Sequence, residues 1–456
     1  MSNYIQTLIK KQRREMARTE NIKLRKHLNA DALIQTMHTG FEGIRDHRAG
    51  NVTHTLADSL MAGFAMFSLK DPSLLLFDQR RYRGPHNLMT IYAMNSIPCD
   101  TSMREILDEV DPNNLRPLFK DAFRQLQRGK ILEKFVFMED CYLLNLDGTG
   151  YFSSDSRHSD ACLEKKHRKT GKVTYYLQTV GAAVVHPDHK EVIVLPPETI
   201  RKQDGKKKMD CERNAVRRFL GKLRQDHPHL QFIVNEDGLS SNAPHIEDLE
   251  ANNLHYILGA KPGDHQFLFQ YVDDAVARGE GMEITVTKQD TPHLTHCFRV
   301  VYNVPLNKSH QDTKVTFVEY WEENSKTGKT QHFTWVTDLT ITEENIFHFM
   351  RGARARWKIE NETFNTLKNQ GYQFDHNFGL GKKHLTEVFV LLMMLAFLID
   401  QILQLCCPLF QAAWKRYKSK KSLWEKVRSK FHEFYIDNME DLYRSLLVYN
   451  PVPLQY

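Results

Sequence analysis

The spacing of apolar positions divides the chain into a helical first part and a strand-rich middle. Up to about residue 130, apolar residues recur at helical spacing, as in 58–67 and in 102–110, where Thr101 or Ser102 is the expected N-cap. Beyond that point, short runs rich in Val, Ile and Tyr alternate with turns, which is typical of strands. The strand-like runs are 141–146, 175–185, 191–195, 230–234 and 255–258.

The order of these elements predicts the fold class. Three strand-like runs come first, and a helical segment at 210–224, a strand, a short helix from Pro244 and a fifth strand follow. This is the element order of an RNase H-like fold, an α/β fold with a mixed sheet and flanking helices. Alternation resumes over 283–340 with a hairpin turn at 323–329, and 343–369 predicts one long helix with Thr342 as its N-cap.

The pattern predicts five segments along the chain. They are a helical segment at 1–130 whose basic start would suit contacts with DNA phosphates, the first part of the RNase H-like core at 131–262, a β-rich insertion at 263–340, a helix that completes the core at 341–383, and a helical C-terminal region at 384–456.

Charge and composition add little to this picture except through position. The 456 residues include 62 Lys and Arg against 56 Asp and Glu, a net charge of +6, which alone barely favours a nucleic-acid partner. The basic residues gather at 10–26, 165–172, 201–208 and 415–430, where they form either phosphate contacts or solvated surface.

The cysteines and the apolar segments bear on the compartment. Seven cysteines without a regular framework or a secretory signal favour a reducing interior, so we expect a cytoplasmic protein. The uninterrupted apolar run 388–399 has 12 residues, too few for a membrane span of roughly 20, and predicts a buried helix.

Two aspartates follow strand-like runs in the same local setting. Asp147 comes after 142–146 and precedes Gly-Thr-Gly, and Asp237 comes after 232–234 within Asn-Glu-Asp-Gly. The glycine after each aspartate allows a ligand to approach the backbone closely. Either aspartate alone is equally explained by an Asx turn that closes a strand, and Glu236 competes with Asp237 for the same role.

A third carboxylate lies in a helical segment that is rich in cations. On a regular helix, Arg356 lies four residues before Glu360 and shares its face, and Lys368 points roughly the same way. Glu362 is the rival candidate, about 200° around the helix. An exposed, ion-paired helix is the other explanation of this pattern. Carboxylates that converge from separate elements are what two-metal phosphodiester chemistry requires, and oxygen ligands suit Mg²⁺.

These segments resemble the bacterial insertion-sequence DDE transposases whose last acidic residue lies in a Tyr-Arg-Glu-Lys signature. The resemblance is carried by Leu-Asp147-Gly-Thr, by Val-Asn-Glu-Asp237-Gly-Leu and by Arg356-Trp-Lys-Ile-Glu360-Asn, and it covers roughly 130–400. The intervals of 90 and 123 residues also agree, because the family carries a β-strand insertion before the glutamate. The chain departs from the signature at two positions, with Ala353 for the Tyr and Leu367, one residue before Lys368, for the Lys.

The resemblance implies a function and a set of roles. Asp147, Asp237 and Glu360 would hold two Mg²⁺ ions, with Mn²⁺ as a substitute, and would cut insertion-sequence ends and transfer strands. The implied partners are double-stranded DNA, as transposon ends and target, and a second copy in a homodimeric synaptic complex at the bacterial nucleoid, with no membrane. The residues expected to contact DNA are Arg354, Arg356, Trp357, Lys358 and Lys368. For Trp357, packing in the core is the alternative to stacking on a base.

Three alternatives remain open at the level of sequence. The chain could be a degenerate transposase that only binds DNA, or an RNase H-like nuclease without strand transfer. A zinc site could use Cys162 with His158 and His167, joined by Cys141 and Cys211, although the spacing lacks the usual Cys-x2-Cys or His-x3-His pair.

Overall fold

The computed structural model describes Thr7 and residues 22–202 and 208–448. Within these residues the chain is a mixed α/β protein with a ten-stranded mixed sheet. Most of the basic stretch predicted at 10–26 and the middle of the one predicted at 201–208 lie outside the described residues.

The helices and strands have the following bounds in chain order. The α-helices are α1 Ala30–Glu42, α2 Leu56–Ser68, α3 Leu74–Arg83, α4 His86–Ile91, α5 Asp100–Asp108, α6 Arg116–Arg128, α7 Lys208–Asp226, α8 Ala243–Ala251, α9 Gln266–Ala277, α10 Ile346–Arg354, α11 Asn365–Asn369, α12 Leu385–Cys406, α13 Pro408–Tyr417, α14 Lys420–Glu433 and α15 Met439–Leu447. The strands are β1 Tyr142–Ser154, β2 Leu163–Lys166, β3 Val173–Val185, β4 Ile193–Thr199, β5 Phe232–Glu236, β6 His255–Gly259, β7 Met282–Thr287, β8 Leu294–Asn307, β9 His310–Asn324 and β10 Lys329–Thr337. A π-helix spans Ile359–Phe364, and short 3-10 turns span Pro112–Leu115, Leu132–Phe135 and Met138–Asp140.

The described residues fall into two compact units. Unit 1 takes those within 1–133, 150–178 and 364–456, and unit 2 takes 134–149 and those within 179–363. Unit 1 is mainly helical, with β2 paired to the first residues of β3. The strands β1 and β3 contribute residues to both units.

The core of unit 1 is built around α12. This helix packs against α2, α5, α6 and α13, and nearly all of its side chains are buried. Leu385–Cys406 is long and apolar enough to cross a membrane, but 94% of its most apolar window is buried, as in the core helix of a soluble protein. The buried helix predicted at 388–399 is therefore present and extends to 22 residues.

The sheet of unit 2 runs in the order β4-β3-β1-β5-β6-β10-β9-β8-β7. Its centre is parallel, because β5 pairs in parallel with both β1 and β6. The strands β7 to β10 are antiparallel to their neighbours and form the β-rich region predicted after residue 283, with the β9–β10 hairpin at the predicted turn. The parallel centre brings the ends of β1 and β5 to one edge of the sheet.

Several local predictions were wrong, each for an identifiable reason. The helix predicted at 102–110 begins at Asp100, and Cys99 takes the N-cap position without a side-chain hydrogen bond. The strand before Asp147 is not closed by an Asx turn there, because β1 continues to Ser154 beside β3 after its last pair with β5. The helix α9 and the strand β2 were not predicted.

The single long helix predicted over 343–369 is interrupted. Its helical part begins at Ile346 rather than at Glu343, although the Thr342 backbone N–H donates to Asn345 Oδ1 at 2.8 Å and the Thr342 carbonyl accepts from the Ile346 N–H at 3.0 Å. A turn follows α10 at 355–356, and the π-helix then precedes α11. Face arithmetic at 3.6 residues per turn therefore does not apply around Glu360.

Candidate active site

Asp147 lies in β1 and Asp237 directly follows β5, its neighbouring parallel strand. The register between β1 and β5 pairs Leu144 with Val234 and ends with Asn145 opposite Asn235. Each aspartate lies two residues beyond its asparagine, so the same offset of 90 residues relates the two asparagines and the two aspartates. Because side chains alternate along a strand, Asn145 and Asp147 project from the same face of β1.

The two asparagines connect these strands to the segment that carries Glu360. Asn145 Nδ2 donates to the carbonyls of Ala355 at 2.8 Å and Arg356 at 3.1 Å. Asn235 Nδ2 donates to the carbonyls of Gly352 at 3.0 Å and of the next residue at 3.3 Å. The end of α10 and the turn after it are thereby attached to both strands a few residues before Glu360.

The carboxylate of Asp147 lies in a half-buried and electrostatically crowded position. Burial raises the pKa of Asp147 to about 6, Arg356 opposes this shift, and the negative charges of Asp237 and Glu360 add to it. The nearest guanidinium nitrogen of Arg356 is 3.9 Å from Asp147 Oδ2. The charges of all three predicted acids thus interact within unit 2.

The carboxylates of Glu360 and of its rival Glu362 interact with different ionisable side chains. The charge of Glu360 acts on Asp147, whereas the charge of Glu362 acts on Lys358. Lys358 itself is half-buried, its pKa is lowered mainly by that burial, and its Nζ donates to the carbonyl of His189 at 2.5 Å. This arrangement favours Glu360 as the third member of the cluster.

Glu236, the rival of Asp237, is buried and already paired. Its carboxylate lies 2.5 Å from His245 Nε2, and it accepts from Ser240 Oγ at 3.1 Å. Burial opposes the charged form of His245, but the charge and hydrogen bond of Glu236, with the charge of Asp248, together outweigh it and raise the pKa of His245. Asp237 is partly exposed, and its Oδ1 accepts from the Leu239 backbone N–H at 3.0 Å, so an Asx turn is present as well.

The cations expected to contact DNA are distributed unevenly. Arg354 donates to Glu322 at 2.8 Å and to Gln331 at 3.2 Å, so its charge is already paired within unit 2. Lys368 belongs to unit 1, where its Nζ lies 3.7 Å from Asp375 Oδ1. Trp357 is 50% exposed and therefore does not fill a core position.

A small pocket with a volume of about 50 Å³ adjoins the two aspartates. Its polar wall includes both aspartates with Glu212, Arg213 and Ser240, and Glu360 does not line it. Glu212 packs so closely on the site that a Cβ added at Gly148 would meet its Oε1 at 2.6 Å. A side chain at position 148 would therefore displace the end of the Glu212 side chain, a contact that the sequence did not indicate.

The carboxylates of Asp147, Asp237 and Glu360 are suitable ligands for a hard divalent cation, but they do not surround a single point. Carboxylate oxygens from separate elements are the ligands that Mg²⁺ prefers. Among the described residues, however, no three Asp, Glu, His or Cys side chains surround a common point closely enough to hold an ion. Ion binding would require these side chains to draw together, and it would relieve the repulsion that raises the pKa of Asp147.

The residues of the suggested zinc site have other partners in unit 1. The His158 ring stacks on Tyr175 with centroids 4.4 Å apart, and the Ser159 backbone N–H approaches Cys162 Sγ at 3.4 Å. His167 Nε2 is 3.5 Å from Thr174 Oγ1. Cys141 lies in unit 2, and the side chain of Cys211 is outside the described part of the chain.

Two functional features of this site were missed from the sequence. Asn145 and Asn235 belong to the same segments as the aspartates, and the pattern Asn-x-Asp-Gly is repeated at both places, but the sequence analysis predicted no role for either asparagine.

Compared with known proteins, the sequence matches no protein-family model, and it matches no curated protein.

Proposed function

We propose that the chain is a DDE transposase that cuts DNA at the ends of an insertion sequence and joins those ends to target DNA. The observation that carries this proposal is the arrangement of three acids in unit 2. Asp147 and Asp237 each lie two residues beyond the last register pair of two parallel strands, and Glu360 follows a segment that is hydrogen-bonded to both strands. The resemblance of the same three segments to the transposase family supports it independently.

An RNase H-like catalytic core is part of this proposal. The order of β1, β3, β4, α7, β5, α8 and β6 supports it, although the short strand β2 intervenes between β1 and β3, and so does the parallel association of β1, β5 and β6. The antiparallel strands β7 to β10 then stand between the second aspartate and the glutamate, where the family carries its insertion.

Asp147, Asp237 and Glu360 are the residues that would hold two Mg²⁺ ions. When bound, the two ions supply Lewis acidity at the attacking and departing oxygens of an in-line displacement. In the first step water attacks a phosphodiester and releases a 3′-hydroxyl. In the second, that hydroxyl attacks a target phosphodiester, forming one bond as another breaks.

The neighbouring side chains have separate tasks in this proposal. Arg356, next to Asp147, favours the ionised carboxylate and offers a guanidinium to a phosphate. The half-exposed indole of Trp357, with the Arg356 guanidinium 4.9 Å from its centroid, offers a surface on which a base can stack. The paired charges of Arg354 and Lys358 assign them to holding the catalytic segment rather than to primary phosphate contacts.

The test is an assay of cutting and joining with the full chain. Duplexes carrying the DNA that flanks its own coding sequence are incubated with the protein and Mg²⁺ or Mn²⁺, with a supercoiled plasmid as target. Cut ends that become joined to the plasmid are expected. Cuts without joined products would favour the nuclease, and binding without cuts would favour the degenerate DNA-binding protein. Absence of binding to any of these duplexes would overturn the proposal.

A further inference from the structure

Two buried asparagines hold the same segment from two strands. Asn145 and Asn235 are both fully buried, and they are paired with each other in the register of the adjacent strands β1 and β5. Each uses its Nδ2 group for two carbonyls of the segment 352–356, at distances of 2.8 to 3.3 Å. Four donor contacts, to the carbonyls of residues 352, 353, 355 and 356, therefore hold this short stretch against the centre of the sheet.

The contacted carbonyls are those that a helix end leaves incompletely satisfied. The last carbonyls of a helix lack an i+4 partner, and they carry the negative end of the helix dipole. Here the carbonyls of Gly352 and Ala353 receive only i+3 hydrogen bonds from the backbone, and those of the next turn do the same. An uncharged side-chain donor matches this site, whereas a carboxylate in the same place would repel the carbonyls.

The other end of each amide is unsatisfied. Oδ1 of Asn145 and Oδ1 of Asn235 are buried and lack a hydrogen-bond partner among the described residues. An unpaired buried acceptor costs stability, and an apolar side chain of similar size would avoid that cost. Packing alone therefore does not account for two asparagines at these positions.

We propose that Asn145 and Asn235 are positioning residues that set the place of Glu360 relative to Asp147 and Asp237. Each asparagine lies two residues before one aspartate. The segment 352–356, which both asparagines hold, ends four residues before Glu360. Loss of either amide removes two of the four hydrogen bonds to the segment 352–356. The Glu360 carboxylate is then held less precisely, and metal ions bind more weakly. Partners that orient ligands in this way typically contribute 10- to 100-fold to metal affinity.

The test compares Asn145→Ala and Asn235→Ala with Asn87→Ala. Asn87 is a matched control because its buried Nδ2 also donates to two carbonyls, those of Phe431 at 2.7 Å and Phe434 at 2.6 Å, but within unit 1. Asn145→Ser is included as a milder variant in case the alanine variants fold poorly. This inference rests on the proposed function, so one measurement independent of catalysis is needed.

Two measurements are made on each full-length variant. Hydrogen exchange of the amides of 355–364 reports the anchoring directly, and the Mg²⁺ concentration for half-maximal DNA cutting reports the site. The Asn145 and Asn235 variants are expected to exchange faster over 355–364 and to need about tenfold more Mg²⁺. Asn87→Ala is expected to lower the melting temperature while leaving both readouts unchanged.

The outcomes separate this inference from the proposed function. Unchanged exchange at 355–364 in the Asn145 and Asn235 variants overturns the positioning role, as does an unchanged Mg²⁺ requirement in variants that have only become less stable. If the wild-type protein binds DNA but never cuts it, the proposed function fails, and the exchange measurement still decides whether the asparagines hold the segment.

Discussion

The guanidinium of Arg356 lies 3.9 Å from the carboxylate of Asp147, yet burial has the larger effect on this acid. Its pKa is raised from 3.8 to about 6, and the charges of Asp237 and Glu360 contribute to the shift. The site therefore carries negative charge that the protein alone does not fully neutralise. This is an arrangement in which a bound cation adds stability, and it leads to the first prediction.

Asp147→Asn is expected to stabilise the protein above pH 6. Because the folded-state pKa is raised, the stability contribution of Asp147 is fully present below pH 3.8 and is lost as the pH rises through about 6. A shift of about two pKa units corresponds to up to about 3 kcal/mol at pH 8. Thermal melts from pH 4 to pH 8 check this, and a variant that is less stable than wild type at pH 8 would contradict it.

Magnesium is expected to reverse this difference. Ligand binding to the folded state raises the melting temperature, and the wild-type site has the full set of carboxylates. At pH 8, millimolar Mg²⁺ should therefore stabilise wild type more than Asp147→Asn, and EDTA should remove the effect. Equal stabilisation of the two proteins would place the bound ion elsewhere.

Gly352 is expected to tolerate no side chain, since a Cβ there would lie 2.3 Å from the ring of Phe137. The Gly352→Ala variant must shift α10 or the ring, at a cost of about 1–3 kcal/mol, and should also reduce DNA cutting because Asn235 binds the Gly352 carbonyl. Gly221→Ala on α7 is the matched control, with no atom within 4 Å of its added Cβ and an expected gain of about 0.5–1 kcal/mol. Urea unfolding measures both, and equal effects would argue against the close contact.

The buried pair of Lys70 and Asp400 is expected to be the most sensitive ion pair in unit 1. Lys70 is fully buried, donates to Asp400, and lies 3.8 Å above the ring of Trp424, while Tyr372 also donates to Asp400. The Lys70→Met variant leaves a buried carboxylate without its cation, which typically costs 3–5 kcal/mol.

The exposed pair of Lys383 and Glu109 provides the control for that substitution. Lys383→Met removes the same kind of charge from a pair whose side chains are 57% and 44% exposed, with an expected effect of about 0–1 kcal/mol. Adding Asp400→Leu to Lys70→Met should restore part of the lost stability. Similar melting temperatures for the two single variants would mean that the Lys70 charge is not held as the structure shows.

Trp357 is expected to serve DNA binding rather than folding, because half of its surface is exposed. Trp357→Ala should weaken binding to DNA with unpaired ends by about 1–3 kcal/mol, the usual value of one base stacked on an aromatic ring, and Trp357→Phe should retain most of it. The melting temperature should change little. Undiminished DNA affinity in the alanine variant would leave this side chain without a binding role.

The sequence predicted the central strands and singled out the two aspartates as candidates, because apolar alternation and an Asp-Gly pair occur together at both places. Alternating apolar residues predicted the central strands, and glycine after each aspartate pointed to the two positions that the parallel register aligns. The π-helix around Glu360 could not be predicted, because the apolar spacing of this segment is that of an ordinary α-helix. The contacts of Asn145 and Asn235 with the turn before it join residues far apart in sequence, which a local pattern does not show. The burial of α12 was predictable from its apolar run, whereas the exposure of Trp357 depends on a turn that local sequence does not reveal.

The most direct test of the central claim compares Glu360→Gln with Glu362→Gln in the assay of DNA cutting and joining. The two substitutions are chemically identical and two residues apart, but the charge of Glu360 raises the pKa of Asp147, whereas that of Glu362 acts on Lys358. Glu360→Gln is expected to bind the DNA ends normally and to lose cutting and joining, while Glu362→Gln retains both. Undiminished cutting by Glu360→Gln would remove Glu360 from the catalytic site and contradict the account.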